Sequence, residues 1–207
     1  RLKMTKSQLN AAFHVLTDEK NMISFGTGVG YVFRSIDLSI SIDGHGDTYE
    51  YIRWPGNWSK LYKNIKLVID YSSQNKNILP GIATTVQNLN VDNLDQLIDS
   101  MHELSDNKLS FYFIPVVQFN ELDITPLHIL EESHSKLQKY RNTSLHRADE
   151  LLNMIKEAID KSKNVDSKRV VNFFEMQKNY DMIRNQNLFQ TKPHFIEYAK
   201  QFKVNTW

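Results

Sequence analysis

The chain has 207 residues, 25 basic and 24 acidic, for a formal net charge of +1; that length suits one domain with or without an appendage, and the even balance exerts no general pull toward nucleic acid or a membrane surface. It contains no cysteine, which excludes disulfides and thiolate metal sites built from its own residues. No apolar run approaches the ~20 residues that span a bilayer, and the N-terminus lacks the basic-then-apolar order of a signal peptide, so a cytoplasmic location is expected.

Taken in chain order, the first feature is Gly26, Gly28 and Gly30. They alternate and lead into another strand-like run, which reads as a turn and not as a phosphate-binding loop, since G-x-G-x-x-G is required between strand and helix. Residues 36–43 follow. Ile36, Leu38, Ile40 and Ile42 alternate with Asp37, Ser39, Ser41 and Asp43 until Gly44, the period of a half-buried strand. A polar, aromatic-rich loop comes next, and 58–71 predicts a helix beginning at Trp58.

Further along, 78–87 predicts a strand, 93–104 a helix and 109–117 a strand. Pro115 counts against a central place for the last strand, because it removes a ladder donor. Such alternation argues for successive βα units on a parallel sheet. Beyond Arg141 strands cease: 127–140, 148–162, 167–179 and 193–202 all carry apolar residues three and four apart. Asp92 or Asn93 and Ser167 are candidate N-caps. The expected organisation is an α/β unit over 1–140 and a helical C-terminal extension over 141–207, with a weak boundary at 141–146.

Candidate chemistry gathers at strand ends, where parallel α/β folds bind ligands. Ser39, Ser41 and Asp43 share a strand face; Asp43 either caps the turn at Gly44 or faces a ligand. Arg53 can hold a carboxylate in bidentate fashion or stack on Trp54 or Trp58, with Glu50 as its expected ion-pair partner. Tyr49, Tyr51, Trp54 and Trp58 read as a packing cluster. Thr85 and Gln87 share a face of the next strand, whereas Asn88 and Asn90 suit turn chemistry. Val116, Val117 and Gln118 close the third strand. The seven histidines show no zinc spacing, and His45 alone lies near this edge.

Three segments carry a family resemblance. Ser41, Ile42, Asp43 and Gly44, then Tyr49 to Gly56 and a Trp58 helix with Asn64 and Ile65, resemble the fourth-strand region of radical S-adenosylmethionine (SAM) enzymes of the twitch-domain group. The run from Thr84 to Leu94 is similar to that group's fifth strand and following helix. Tyr180 to Gln186, with Pro193 downstream, resembles its closing segment. The resemblance implies the C-terminal portion of a partial (β/α) barrel with parallel strands, followed by a helical C-terminal extension.

It also implies SAM and a [4Fe-4S] cluster as cofactors, the cluster cleaving SAM to a radical that abstracts hydrogen from a small-molecule or peptide substrate. Ser41, Asp43, Arg53, Thr85, Gln87 and Val117 are the implied SAM contacts: hydroxyls toward ribose, Arg53 toward the carboxylate, Thr85 and Gln87 toward adenosine, and an apolar side chain against adenine. The family holds its cluster through C-x-x-x-C-x-x-C, for which this sequence has no residues, and its Gly-Gly-Glu-Pro element is missing too. The sequence begins with Arg, and an N-terminal truncation is therefore expected, so that a missing N-terminal part or a partner chain would be required for activity. The alternative is a degenerate, non-catalytic α/β binding module.

Overall fold

The computed structural model describes residues 23–24, 30–31, 36–117, 120–143, 145 and 147–207. Its first elements are a two-residue antiparallel pair, β1 (Ile23–Ser24) and β2 (Gly30–Tyr31); the glycine turn expected between them lies largely outside the described residues. The remainder is mixed α/β. In chain order it runs β3 (Ile36–Ser41), α1 (Asp47–Ile52), α2 (Trp58–Gln74), β4 (Ile78–Val86), α3 (Leu94–Ser105), β5 (Ser110–Pro115), α4 (Leu127–Leu137), α5 (Ala148–Ser162), α6 (Ser167–Arg184), α7 (Leu188–Thr191) and α8 (Phe195–Gln201).

β3, β4 and β5 form a three-stranded parallel sheet with β4 in the middle. Pro115 pairs with Val86 at the end of β5, a position an outer strand tolerates because one side of its ladder is unused. Side-by-side residues of a parallel sheet share a face. Ile40, Ile82 and Phe111 therefore stand in one row, packed in a core with Ile65 of α2 and Leu97, Ile98 and Met101 of α3. On the other face Ser41, Ala83 and Tyr112 are neighbours, and Thr85 stands beside Ile114.

Among the described residues that second face is uncovered. Leu79, Tyr112 and Ile114 are 52%, 43% and 51% exposed, and a trough of about 550 Å³ runs over Ser39, Gly81, Ala83 and Tyr112 to Arg147. The guanidinium of Arg147 lies 5.0 Å from the Tyr112 ring centre, where the ring's negative face attracts it.

The helices after residue 141 divide between two cores. Leu151, Leu152 and Ile155 of α5 join the sheet core. A second core is built from Val170, Phe173 and Phe174 of α6, Leu188, Phe189 and Phe195, together with Tyr51 of α1, Leu89 and Ile124. It sits beneath the loops that follow β3 and β4, so the tail supports the carboxyl edge of the sheet. Its ends are fixed by short polar side chains: Asp166, not Ser167, caps α6 through Lys168 N–H at 2.9 Å, and Asn187 caps α7.

His194 illustrates how tightly the tail packs. Its ring lies 4.5 Å from that of Phe195, and burial pushes its pKa down to about 4; Lys192 and His128 act in the same direction, against Asp92 and Glu132.

Two outcomes follow from this packing. Ile82, fully buried in the central strand, is expected to lose about 2–5 kcal/mol of stability on replacement by alanine, through lost transfer energy and the cavity left behind; urea denaturation measures it. His194 remains neutral in the folded chain while its unfolded form binds a proton below about 6.5. Its contribution is complete above that pH and is lost as pH falls from about 6.5 toward about 4. Denaturation midpoints across this range should decline in the wild type and decline less in His194→Leu.

Candidate functional site

The site forms where β3 leaves the sheet. Ile42 N–H still donates to Ala83 C=O at 2.9 Å and Thr84 Oγ1 donates to Ile42 C=O at 2.8 Å, holding the chain extended one residue beyond the strand. Asp43 follows, 3% exposed. A carboxylate taken out of water needs donors for its oxygens. Oδ1 accepts the Thr85 N–H at 2.8 Å, and Oδ2 accepts Arg53 Nε at 2.5 Å, with Arg53 Nη2 also against it. Nη2 in addition donates to Ser41 Oγ at 2.7 Å.

Ser41, Asp43, Arg53 and Thr85 thus converge, the last through its backbone. The partner of Arg53 is Asp43 and not Glu50; Glu50 Oε1 instead accepts the Trp58 N–H at 2.7 Å, serving the first turn of α2 where free amides need acceptors. Asp43 does not cap the Gly44 turn. Gly44 has φ +154°, and a Cβ there would lie 2.7 Å from Thr48 Cγ2, so glycine lets α1 begin close against the strand end.

Asn90 binds the two strand ends together. Its Nδ2 donates to Asp43 C=O at 3.1 Å and to Thr85 C=O at 2.7 Å, while Oδ1 accepts the Gln87 N–H at 2.9 Å. The turn chemistry expected of Asn90 is therefore present and reaches across to β3. Asn93 is similar: its Oδ1 accepts His45 N–H at 2.6 Å and does not cap α3. Gln87 is buried and accepts from Asn120 Nδ2 at 3.1 Å, one residue removed from the cluster through Asn90. Asn88 is fully buried, and neither side-chain polar atom has a partner among the described residues.

Val117 lies apart. It is 76% exposed and borders a separate cleft of about 280 Å³ with Val86, Met154 and Ala158; Gln118 is outside the described residues. The aromatic set is split. Tyr49 and Tyr62 flank Trp58 at 5.8 and 5.9 Å between ring centres, Tyr51 enters the second core and Trp54 is 45% exposed. His45 packs edge-on to Trp58 at 4.7 Å, and burial pushes its pKa down.

Lys192, Gln177 and Asp181, which sequence reasoning passed over, lie behind the site. Lys192 Nζ, 2% exposed, donates to Thr48 Oγ1 at 2.8 Å and to both oxygens of Asp92 at 2.8 and 3.0 Å. Burial pushes its pKa down against the pull of Asp92. Tyr51 OH sits 2.9 Å from Asp181 Oδ1 and 3.1 Å from Gln177 Oε1, and burial, reinforced by Asp181, keeps the phenol protonated.

Comparison with family models, with curated proteins and with solved structures finds no match. Among the described residues no group of three His, Asp or Glu is placed to hold a metal ion, and no helix is long and apolar enough to cross a membrane.

Because Asn90 makes three bonds in a fully buried setting, Asn90→Ala is expected to cost about 3 kcal/mol, roughly one per bond. Asn90→Asp should cost more, since it sets a charged acceptor against two carbonyls. Urea titration of both variants provides the check.

Proposed function

We propose that this chain is the C-terminal part of a radical SAM enzyme of the twitch-domain group, its sheet being the C-terminal portion of a partial (β/α) barrel. The observation that carries the reading is the meeting of Ser41, Asp43 and Arg53 at the carboxyl edge of a parallel sheet, within the segment whose sequence resembles that group most specifically. Ligands of such sheets bind at this edge.

Arg53 suits an anionic ligand. Nε and Nη2 are committed to Asp43 and Ser41, its side chain is 42% exposed, and Nη1 keeps two N–H groups without a partner among the described residues. A carboxylate such as that of SAM can take them. Asp43 holds the guanidinium in place, and Ser41 retains its hydroxyl proton for a ribose oxygen. Thr85 stands on the same face as Ser41, and the trough over Ser39, Ala83 and Tyr112 on that face supplies room for a small-molecule or peptide substrate. When bound, SAM supplies the source of radical chemistry.

The cluster does not fit this sequence. Thiolates are its expected ligands and the sequence has none, so the cluster would be carried by residues outside this sequence or by a partner chain. A degenerate binding module is the competing reading, favoured by the same lack of thiolates.

Isothermal titration of the chain with SAM tests the ligand assignment. Saturable binding that weakens at least ~tenfold in Arg53→Met, the loss of about one charge-assisted contact, is expected. Absence of binding, or binding indifferent to Arg53, contradicts it.

A further inference from the structure

The segment that presents Arg53 is too short to place itself. α1 has six residues, and its N-cap, Gly46, makes no side-chain cap; a helix of under two turns is unstable alone, because nucleation costs more than so few bonds return. Arg53 ends it, with its N–H donating to Tyr49 C=O at 2.9 Å. Where α1 sits therefore decides where the guanidinium starts. Only two α1 side chains, Thr48 and Tyr51, are buried. Both are hydroxyl residues, and both are hydrogen-bonded to the C-terminal tail.

The tail grips α1 at three points. Lys192 Nζ donates to Thr48 Oγ1 at 2.8 Å, Gln186 Nε2 donates to Glu50 C=O at 3.2 Å, and Tyr51 OH donates to Asp181 Oδ1 at 2.9 Å. Two of the three grips are themselves braced. Lys192 is paired with Asp92 in the loop after β4, which ties the tail to the loop that carries Asn90. Asp181 accepts Leu188 N–H at 2.6 Å and Trp207 Nε1 at 2.9 Å through its other oxygen. Buried polar groups held by several donors resist displacement, since breaking one leaves an unsatisfied partner out of water. The bonds span 126 to 144 residues of sequence where they join Tyr51 to Gln177 and Thr48 to Lys192, so the tail is tied specifically to this helix.

We propose that Lys192, Gln186 and Asp181 are positioning residues, through which the tail from α6 to α8 sets α1 and so aims Arg53 at its ligand. The inference rests on the reading of Arg53 as an anion contact. It adds that the helical extension is part of the site and not an appendage.

The test follows the Arg53 Nε–H itself. In 15N-labelled chain, that proton, assigned by its disappearance in Arg53→Lys, is expected to exchange more slowly than a free guanidinium proton because Asp43 accepts it. Tyr51→Phe removes the bond to Asp181 without changing shape, and Lys192→Met removes the bond to Thr48. Leu104→Ala, packed against the sheet core, supplies a destabilised control. Both tail variants are expected to retain native circular dichroism while the Nε–H exchanges at least ~tenfold faster than in Leu104→Ala, with SAM affinity falling by a similar factor.

Exchange no faster than in the control, for folded variants, would overturn the proposal and leave the tail a structural support alone. Should Lys192→Met fail to fold, Tyr51→Phe decides the matter. If the wild type does not bind SAM yet its Nε–H responds to the tail, the ligand assignment fails and the positioning role stands.

Discussion

The buried carboxylate of Asp43 organises the carboxyl edge of the sheet. Asp43 leaves the sheet at 3% exposure, and its charge is tolerable only while donors meet both oxygens. Thr85 N–H and Arg53 meet them. That requirement fixes the end of β3 to the end of β4, draws the residue that closes α1 back over the strand, and leaves one edge of a guanidinium facing outward. Asn90 holds the same two strand ends from the other side. The order at this edge comes from charge and hydrogen bonds, laid over the second apolar core beneath the loops that follow β3 and β4.

The apolar residues do their part elsewhere. One core covers a single face of the sheet with α2, α3 and α5, and a second joins the tail to α1 and to the loops after β3 and β4. This division explains why the carboxyl edge of the sheet is firm while its opposite face stays open. Hydrophobic burial stabilises the layers without specifying direction. The buried polar pairs, Lys192 with Asp92 and Tyr51 with Asp181, supply the direction.

Much of the layering was legible in the sequence. The alternation over 36–43 declared β3 because one face of that strand is covered and the other is not, and the helical period over 148–162 and 167–179 declared α5 and most of α6. Pro115 pointed to an outer strand, which β5 is among the described residues. α1 was not legible: a helix of one and a half turns shows too few repeats of any period, and the Tyr49 to Trp58 segment read as a loop.

The candidate site was legible in part. Strand periodicity put Ser41 and Asp43 on one face, and the resemblance of their segment to a known family joined Arg53 to them. Their pairing was not legible, for Glu50 was nearer to Arg53 than Asp43 and equally charged. Asn93, Asp92 and Lys192 escaped because their partners lie 48 and 100 residues away, and a capping oxygen looks the same in sequence as one claimed by a distant amide or ammonium. Val117 lies apart from the other candidates: Val116 N–H still donates to Val86 C=O, and the valine after it borders another cleft.

The measurement that bears most directly on the account is the release of 5'-deoxyadenosine from SAM by protein expressed from the longest reading frame that contains this sequence, reconstituted anaerobically with iron and sulfide and supplied with a reductant. The account predicts release in the wild type and its loss in Arg53→Met with the cluster's ~400 nm absorbance unchanged. Absorbance and release that persist without Arg53, or a full-length protein that neither takes up a cluster nor cleaves SAM, would contradict it.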